Sequence, residues 1–182
     1  MMGKKLIVLV VVLGLAIRFA ASAEGVPAQA LEQADLTNQV RKALLTLPYY
    51  GVFDNLEFSI KEGTVELNGQ VVRPVTKQDA ESRVKKLKGV ETVVNNIKVL
   101  PLSTTDNQLR RVLYRAIFRA GGLYRYRLGT NPSIHIIVDN GHVTLIGVVD
   151  NEGDKTLAGI KANTVSGVFS VDNNLRVEGK NK

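Results

Sequence analysis

The chain has 182 residues, with 24 Lys and Arg against 17 Asp and Glu, two His and no Cys, for a formal charge of +7. That length suits one large or two small domains. The absence of Cys excludes disulfides, thiolate metal sites and a lipid-modified N-terminal Cys, so the chain is not a lipoprotein of that kind.

Lys4 and Lys5 precede an apolar run from Leu6 to Ile17, and Ala21-Ser22-Ala23 has the small-x-small pattern a signal peptidase accepts. The run is 12 residues long before Arg18 interrupts it, short of the roughly 20 that span a bilayer. Residues 1–23 therefore read as an export signal cleaved after Ala23. Cleavage removes Lys4, Lys5 and Arg18, which leaves 21 basic residues against 17 acidic, a charge of +4. Residues 35–102 are net +2 and residues 103–182 net +4, so the second half holds most of the excess.

Residues 24–34 lack a sustained apolar period and are expected as a lead-in with at most one helical turn. Asp35 or Thr37 can cap a helix in which Leu36, Val40, Ala43, Leu44 and Leu47 share one face, ended by Pro48. Leu56 to Lys61 and Thr64 to Val71 alternate as strands around a two-residue turn at Glu62-Gly63. Pro74 opens a second helix with Ala80, Val84 and Leu87 as its stripe, and Val90 to Val99 reads as a third strand. After a linker at residues 101–104, Thr105 or Asp106 caps a helix carrying Leu109, Val112, Leu113, Ala116 and Ile117. Ile134 to Asp139 and His142 to Val148 form a hairpin about Asn140-Gly141. A helix over about Asp154 to Thr164 and a strand from Val168 to Val177 complete the chain, with a frayed tail from residue 179.

One unit is used twice. Gly63 to Val72, GTVELNGQVV, matches Gly141 to Asp150, GHVTLIGVVD, and Val90 to Val99 matches Val168 to Val177, both 78 positions apart. The first helices align at an offset of only 69, so nine residues are inserted within Gly121 to Pro132. The expected fold is α+β: two tandem αββαβ domains, residues 35–100 and 105–178, each a small mixed three-stranded sheet covered by two helices.

The helix, strand, strand, helix, strand order, the G-x-V-x-L-x-G hairpin and the closing V-x-N-x-I/L-x-V strand (Val93 to Val99; Val171 to Val177) resemble the BON-domain family. A tandem pair behind a signal peptide is similar to periplasmic members of that family. The resemblance implies a non-catalytic envelope protein, peripheral to a membrane, that binds phospholipid surfaces or an envelope protein and serves envelope integrity or osmotic stress.

The residues themselves offer little catalytic material. His135 and His142 are the two histidines, and hairpin counting sets them opposite Ile146 and Asp139, not each other, so neither a triad nor a metal site is expected. Acidic pairs such as Asp150 with Glu152 lack calcium-loop spacing. Gly121-Gly122 lacks the Lys-Ser/Thr of a phosphate loop. No cofactor is expected. Asn95 and Asn173, facing inward, are read as ties from the sheet edge to a nearby loop.

Arg110 to Arg127 holds six Arg and no acid. With Leu109 at zero on a helical wheel, Tyr114 and Phe118 fall at about 140° and 180° and Arg111 and Arg115 at about 200° and 240°, away from the core stripe. The expected lipid-binding set is Arg111, Tyr114, Arg115, Phe118, Arg119, Tyr124, Arg125, Tyr126 and Arg127, with rings at headgroup depth and guanidinium groups on phosphates of an anionic surface. The outer face of the second hairpin, His135, Ile137, Thr144 and Ile146, is apolar where the first shows Glu57, Ser59, Glu66 and Asn68. With so short a linker it is expected to be covered by the other domain, a lipid tail or another protein being the alternative. Nucleic acid is not expected, because export removes the usual target.

Overall fold

The computed structural model describes residues 28–129 and 131–179. The expected signal sequence and cleavage site at residues 1–23 lie outside them, as does most of the C-terminal tail. The first unit runs α1 (Ala28–Leu45), β1 (Asn55–Lys61), β2 (Thr64–Val71), α2 (Pro74–Val84), β3 (Thr92–Asn95) and β4 (Lys98–Val99). The second runs α3 (Thr104–Phe118), a 3-10 helix (Leu123–Arg127), β5 (Ile134–Asp139), β6 (His142–Val149), α4 (Glu152–Asn163) and β7 (Ser170–Val177). This is the αββαβ order twice over, an α+β fold.

Each hairpin is antiparallel, β1 with β2 and β5 with β6. The chain then crosses over through a helix and returns parallel to the second strand, β3 and β4 along β2 and β7 along β6. A parallel return needs such a crossover, and each helix covers the sheet it serves. Both hairpin turns put two consecutive residues at positive φ, Glu62 (48°) with Gly63 (75°) and Asn140 (52°) with Gly141 (79°). That geometry matches the right-handed twist of the flanking strands.

The first core gathers Leu36, Val40, Leu44 and Leu47 over Val65, Leu67, Ala80, Val84 and Ile97. The second gathers Leu109, Leu113 and Ile117 over Ile134, Ile136, Val138, Val143, Leu145, Ala158 and Leu175. The inserted residues join this second core, with Leu123 and Tyr126 both buried.

Four details depart from expectation. Helix α1 starts at Ala28, ahead of Asp35, because Ala28 to Ala34 are Ala, Gln, Leu and Glu, strong helix formers that need no buried face to extend a helix already nucleated by packing. Ser103, not Thr105 or Asp106, caps α3, its Oγ accepting from the Asp106 N–H at 3.1 Å. The third strand of the first unit is interrupted at Asn96 and Ile97, although the Asn96 N–H still donates to Leu67 O at 2.8 Å. Asn95 and Asn173 tie their strands to helices, not loops: Asn95 Nδ2 donates to Lys77 O at 3.1 Å, and Asn173 Nδ2 to Lys155 O at 2.7 Å.

Candidate functional site

Helix α3 turns Leu109, Leu113 and Ile117 to the core and leaves Arg111, Arg115 and Arg119 exposed. Phe118 does not join them: it is 3 % exposed and belongs to the core. Tyr114 is half-buried, edge-on to Phe118 at 4.9 Å between centroids and to Phe53 of the first domain at 6.3 Å. The helical wheel of α3 put both rings outside because it counts one packing face. The 3-10 helix and the first domain supply a second surface on that side.

Two members of the inserted turn are likewise withdrawn. The Tyr126 hydroxyl donates to Asp154 Oδ2 at 2.7 Å and accepts from the Asp150 N–H at 2.9 Å. Arg125 pairs with Asp150 and Asp154 and lies over the Tyr126 ring, 4.5 Å from its centroid. These contacts fasten the insertion to the start of α4. In the first domain the matching N–H, that of Val72, is met instead by Asp54 Oδ1 at 2.7 Å. Of the nine residues in the expected lipid-binding set, Arg111, Arg115, Arg119, Tyr124 and Arg127 are exposed. Among the described residues none of those four arginines makes an ion pair.

Residues 50–54 of the first domain lie along the free edge of β5. Val52 O accepts from the Ile136 N–H at 2.7 Å, the His135 Nδ1 is 3.2 Å from Gly51 O, and the Tyr50 ring stacks on the imidazole. Lys98 of β4 reaches Asp139 at the end of β5. His135 and Ile137 are buried, while Thr144 and Ile146 on the adjacent strand are half-buried. Burial pushes the Tyr50 hydroxyl up to about 12 and holds the His135 imidazole below its ordinary value. It also raises the Asp54 carboxyl, against the pull of the Val72 and Gly51 N–H groups it accepts from.

Where this seam meets α3, an open groove of about 320 Å³ is walled by Phe53, Tyr114, Arg111 and Arg115. Arg115 also borders a second groove of about 430 Å³ with Val112, Ala116, Arg119, Ala120 and Lys161. The two grooves form one surface in which an aromatic cleft adjoins a run of cations.

The BON-domain family model matches residues 32–101 and again residues 105–179. The chain belongs to the BON family. The BON tandem is thus a pair of binding modules of the kind that engage membranes or proteins. No curated protein matches the sequence. Among solved structures, the tandem is similar to the C-terminal domain of CdsD, the structural protein of the Type III secretion system of Chlamydia trachomatis, at 14 % identity and a TM-score of 0.33, over 79 % of this chain and 97 % of that one. A second CdsD structure matches at 13 % identity and a TM-score of 0.31, over 78 % and 91 %. Likeness at that level does not bear on what the BON tandem binds.

In the second BON domain the histidines stay apart, His142 bonding to Ser170 Oγ at 2.8 Å and exposed while His135 is inside the seam. Among the described residues no cluster of His, Asp and Glu could hold a metal, and no helix is long and apolar enough to cross a membrane. Sequence reading missed Phe53 and Lys161 at the surface around α3. Phe53 sits in YYGVFDN, whose three aromatics in seven residues are the available signal. Lys161 carries none, since a lone helical Lys reads as solvated surface.

Proposed function

We propose that this tandem BON protein is exported to the periplasm and binds anionic phospholipid surfaces peripherally, through α3 and the turn that follows it, in support of envelope integrity under stress. One observation carries the reading: among the described residues Arg111, Arg115 and Arg119 are exposed cations without ion-pair partners, the first two lining a cleft with aromatic walls and Arg119 the groove beside it. Guanidinium groups suit headgroup phosphates, and aromatic rings beside them suit the interfacial depth just beneath. At about 1 kcal/mol per basic residue near an anionic leaflet, three to five such residues give reversible, salt-sensitive attachment. The rival reading, a module that assembles an envelope protein complex through the outer face of the second hairpin, has less to work with, because His135 and Ile137 of that face are buried.

Sedimentation of the mature protein with vesicles of phosphatidylglycerol and phosphatidylcholine tests this. Pelleting should rise with phosphatidylglycerol and fall steeply with salt. Replacing Arg111, Arg115 and Arg119 together by Ser should weaken it about a hundredfold. Pelleting that ignores both salt and these three substitutions overturns the reading.

A further inference from the structure

We propose that the groove between Phe53 and Tyr114 is a discrete lipid subsite that takes a single alkyl chain of an anionic phospholipid, with the phosphate on Arg111 and Arg115, and that it exists only while the two domains are docked. This rests on the phospholipid reading above and goes beyond it, because a charged surface alone needs neither a cleft nor the first domain.

Three observations carry it. The groove draws its walls from both domains, Phe53 from the loop after α1 and Arg111, Tyr114 and Arg115 from α3. Its size, about 320 Å³, is at the lower end of small-molecule pockets, which leaves room for part of one chain and not for a whole two-chain lipid. Its lining is mixed, two rings in edge contact with each other and two arginines, which suits an amphiphile with an apolar tail and an anionic head better than a neutral chain. Phe53 is placed by the backbone beside it: Val52 O is bonded to the Ile136 N–H at 2.7 Å, and Tyr50 is stacked on His135. Undocking would carry Phe53 away and leave Tyr114 beside an open helix face. Bound lipid should therefore hold the domains together, since a ligand that binds one state alone stabilises that state.

The test uses the mature two-domain protein and dodecyl phosphate below its micelle concentration, with inorganic phosphate as the head alone, followed by amide chemical shifts. Saturable shifts at Phe53, Arg111, Tyr114 and Arg115, with at least about tenfold weaker response to inorganic phosphate, are expected. Phe53→Ser should weaken dodecyl phosphate binding about tenfold, and Phe53→Leu, which keeps an apolar wall, by no more than about threefold. The Leu variant and the wild-type shift map decide the matter even where the Ser variant loses its docking. Dodecyl phosphate that leaves Phe53 unmoved, or that binds no better than inorganic phosphate, overturns the subsite while salt-sensitive pelleting keeps the surface reading. Absence of pelleting with anionic vesicles removes the surface reading and this inference with it.

Discussion

Tyr50 of the first domain lies over His135 of the second, with ring centroids 5.5 Å apart and planes inclined by 29°. The imidazole is enclosed in the seam, facing Gly51 O and, further off, the Asp54 carboxylate. Burial lowers its pKa from the ordinary 6.5 despite these raising neighbours. The docked state then binds fewer protons than the solvated one, so the stability from His135 is complete above that ordinary value and is lost as pH falls through it toward the lowered one. Asp54 acts in the opposite sense at lower pH: its carboxyl is raised by burial, and its cost is relieved as pH falls through the raised value. Thermal melts should show the wild type losing stability as pH falls through the ordinary 6.5, and His135→Phe, which keeps the stack, should flatten that slope. Parallel slopes would place the pH dependence elsewhere.

Asp106 shows how the second domain holds its hairpin. Its side chain is 1 % exposed and accepts from the Asn140 N–H through Oδ2 and the Gly141 N–H through Oδ1, each at 2.9 Å. Arg110, also buried, donates to Val138 O at 2.6 Å from the same side of the turn. Asp106→Ala leaves two turn amides without partners and Arg110 without its nearby countercharge. The expected loss is about 3 kcal/mol in denaturant unfolding. Asp106→Asn, which can satisfy one amide, should lose less.

Gly69 and Gly147 sit in mid-strand with φ of 116° and 130°, where a Cβ would lie 2.1 Å from Asn55 O and 1.9 Å from Ser133 O. Those contacts are with backbone, which cannot swing aside as a flexible side chain can. Either Ala substitution should cost roughly 2 to 4 kcal/mol by strain alone, read as a lowered urea midpoint. Gly129 also has a positive φ, 88°, but a Cβ there meets nothing within 4 Å, so Gly129→Ala should cost only about 1 kcal/mol.

Tyr126 separates the roles of the aromatics in the inserted turn. Tyr126→Phe keeps the buried ring but removes the donor to Asp154 and the acceptor for the Asp150 N–H. About 1 to 2 kcal/mol of stability should be lost, with vesicle pelleting unchanged in the folded protein. Tyr124→Ser, at a ring 55 % exposed, should do the reverse, weakening pelleting a few-fold with stability held within about 0.5 kcal/mol.

The repeat made most of the fold legible. The turn at Asn140-Gly141, the mid-strand glycines and the apolar stripe of each helix are local signals, and each copy checks the other. The candidate site was legible in part. Arg111, Arg115 and Arg119 stand exposed because a charged side chain on the far side of an amphipathic helix has nowhere better to go. Phe118 was misplaced because a helical wheel assumes that only one side of α3 meets protein, whereas the inserted turn and the first domain both close on its other side; Arg125 and Tyr126 lie in that turn, and their partners Asp150 and Asp154 are more than 20 residues away in the chain. Phe53 could not be read as a wall of the groove, since its partner Tyr114 lies in the other copy and nothing local in either segment encodes their meeting.

The sequence by itself therefore determined the unit, its duplication, its order of elements and the basic bias of the second copy, all properties set by spacing and side-chain type along a short stretch. The tertiary structure alone decided which aromatics are buried and which arginines, among the described residues, are left without ion-pair partners, and it brought residues 50–54 onto the edge of β5 beside α3. Those outcomes depend on contacts between segments far apart in the chain, where burial and pairing are settled by what arrives from the other domain.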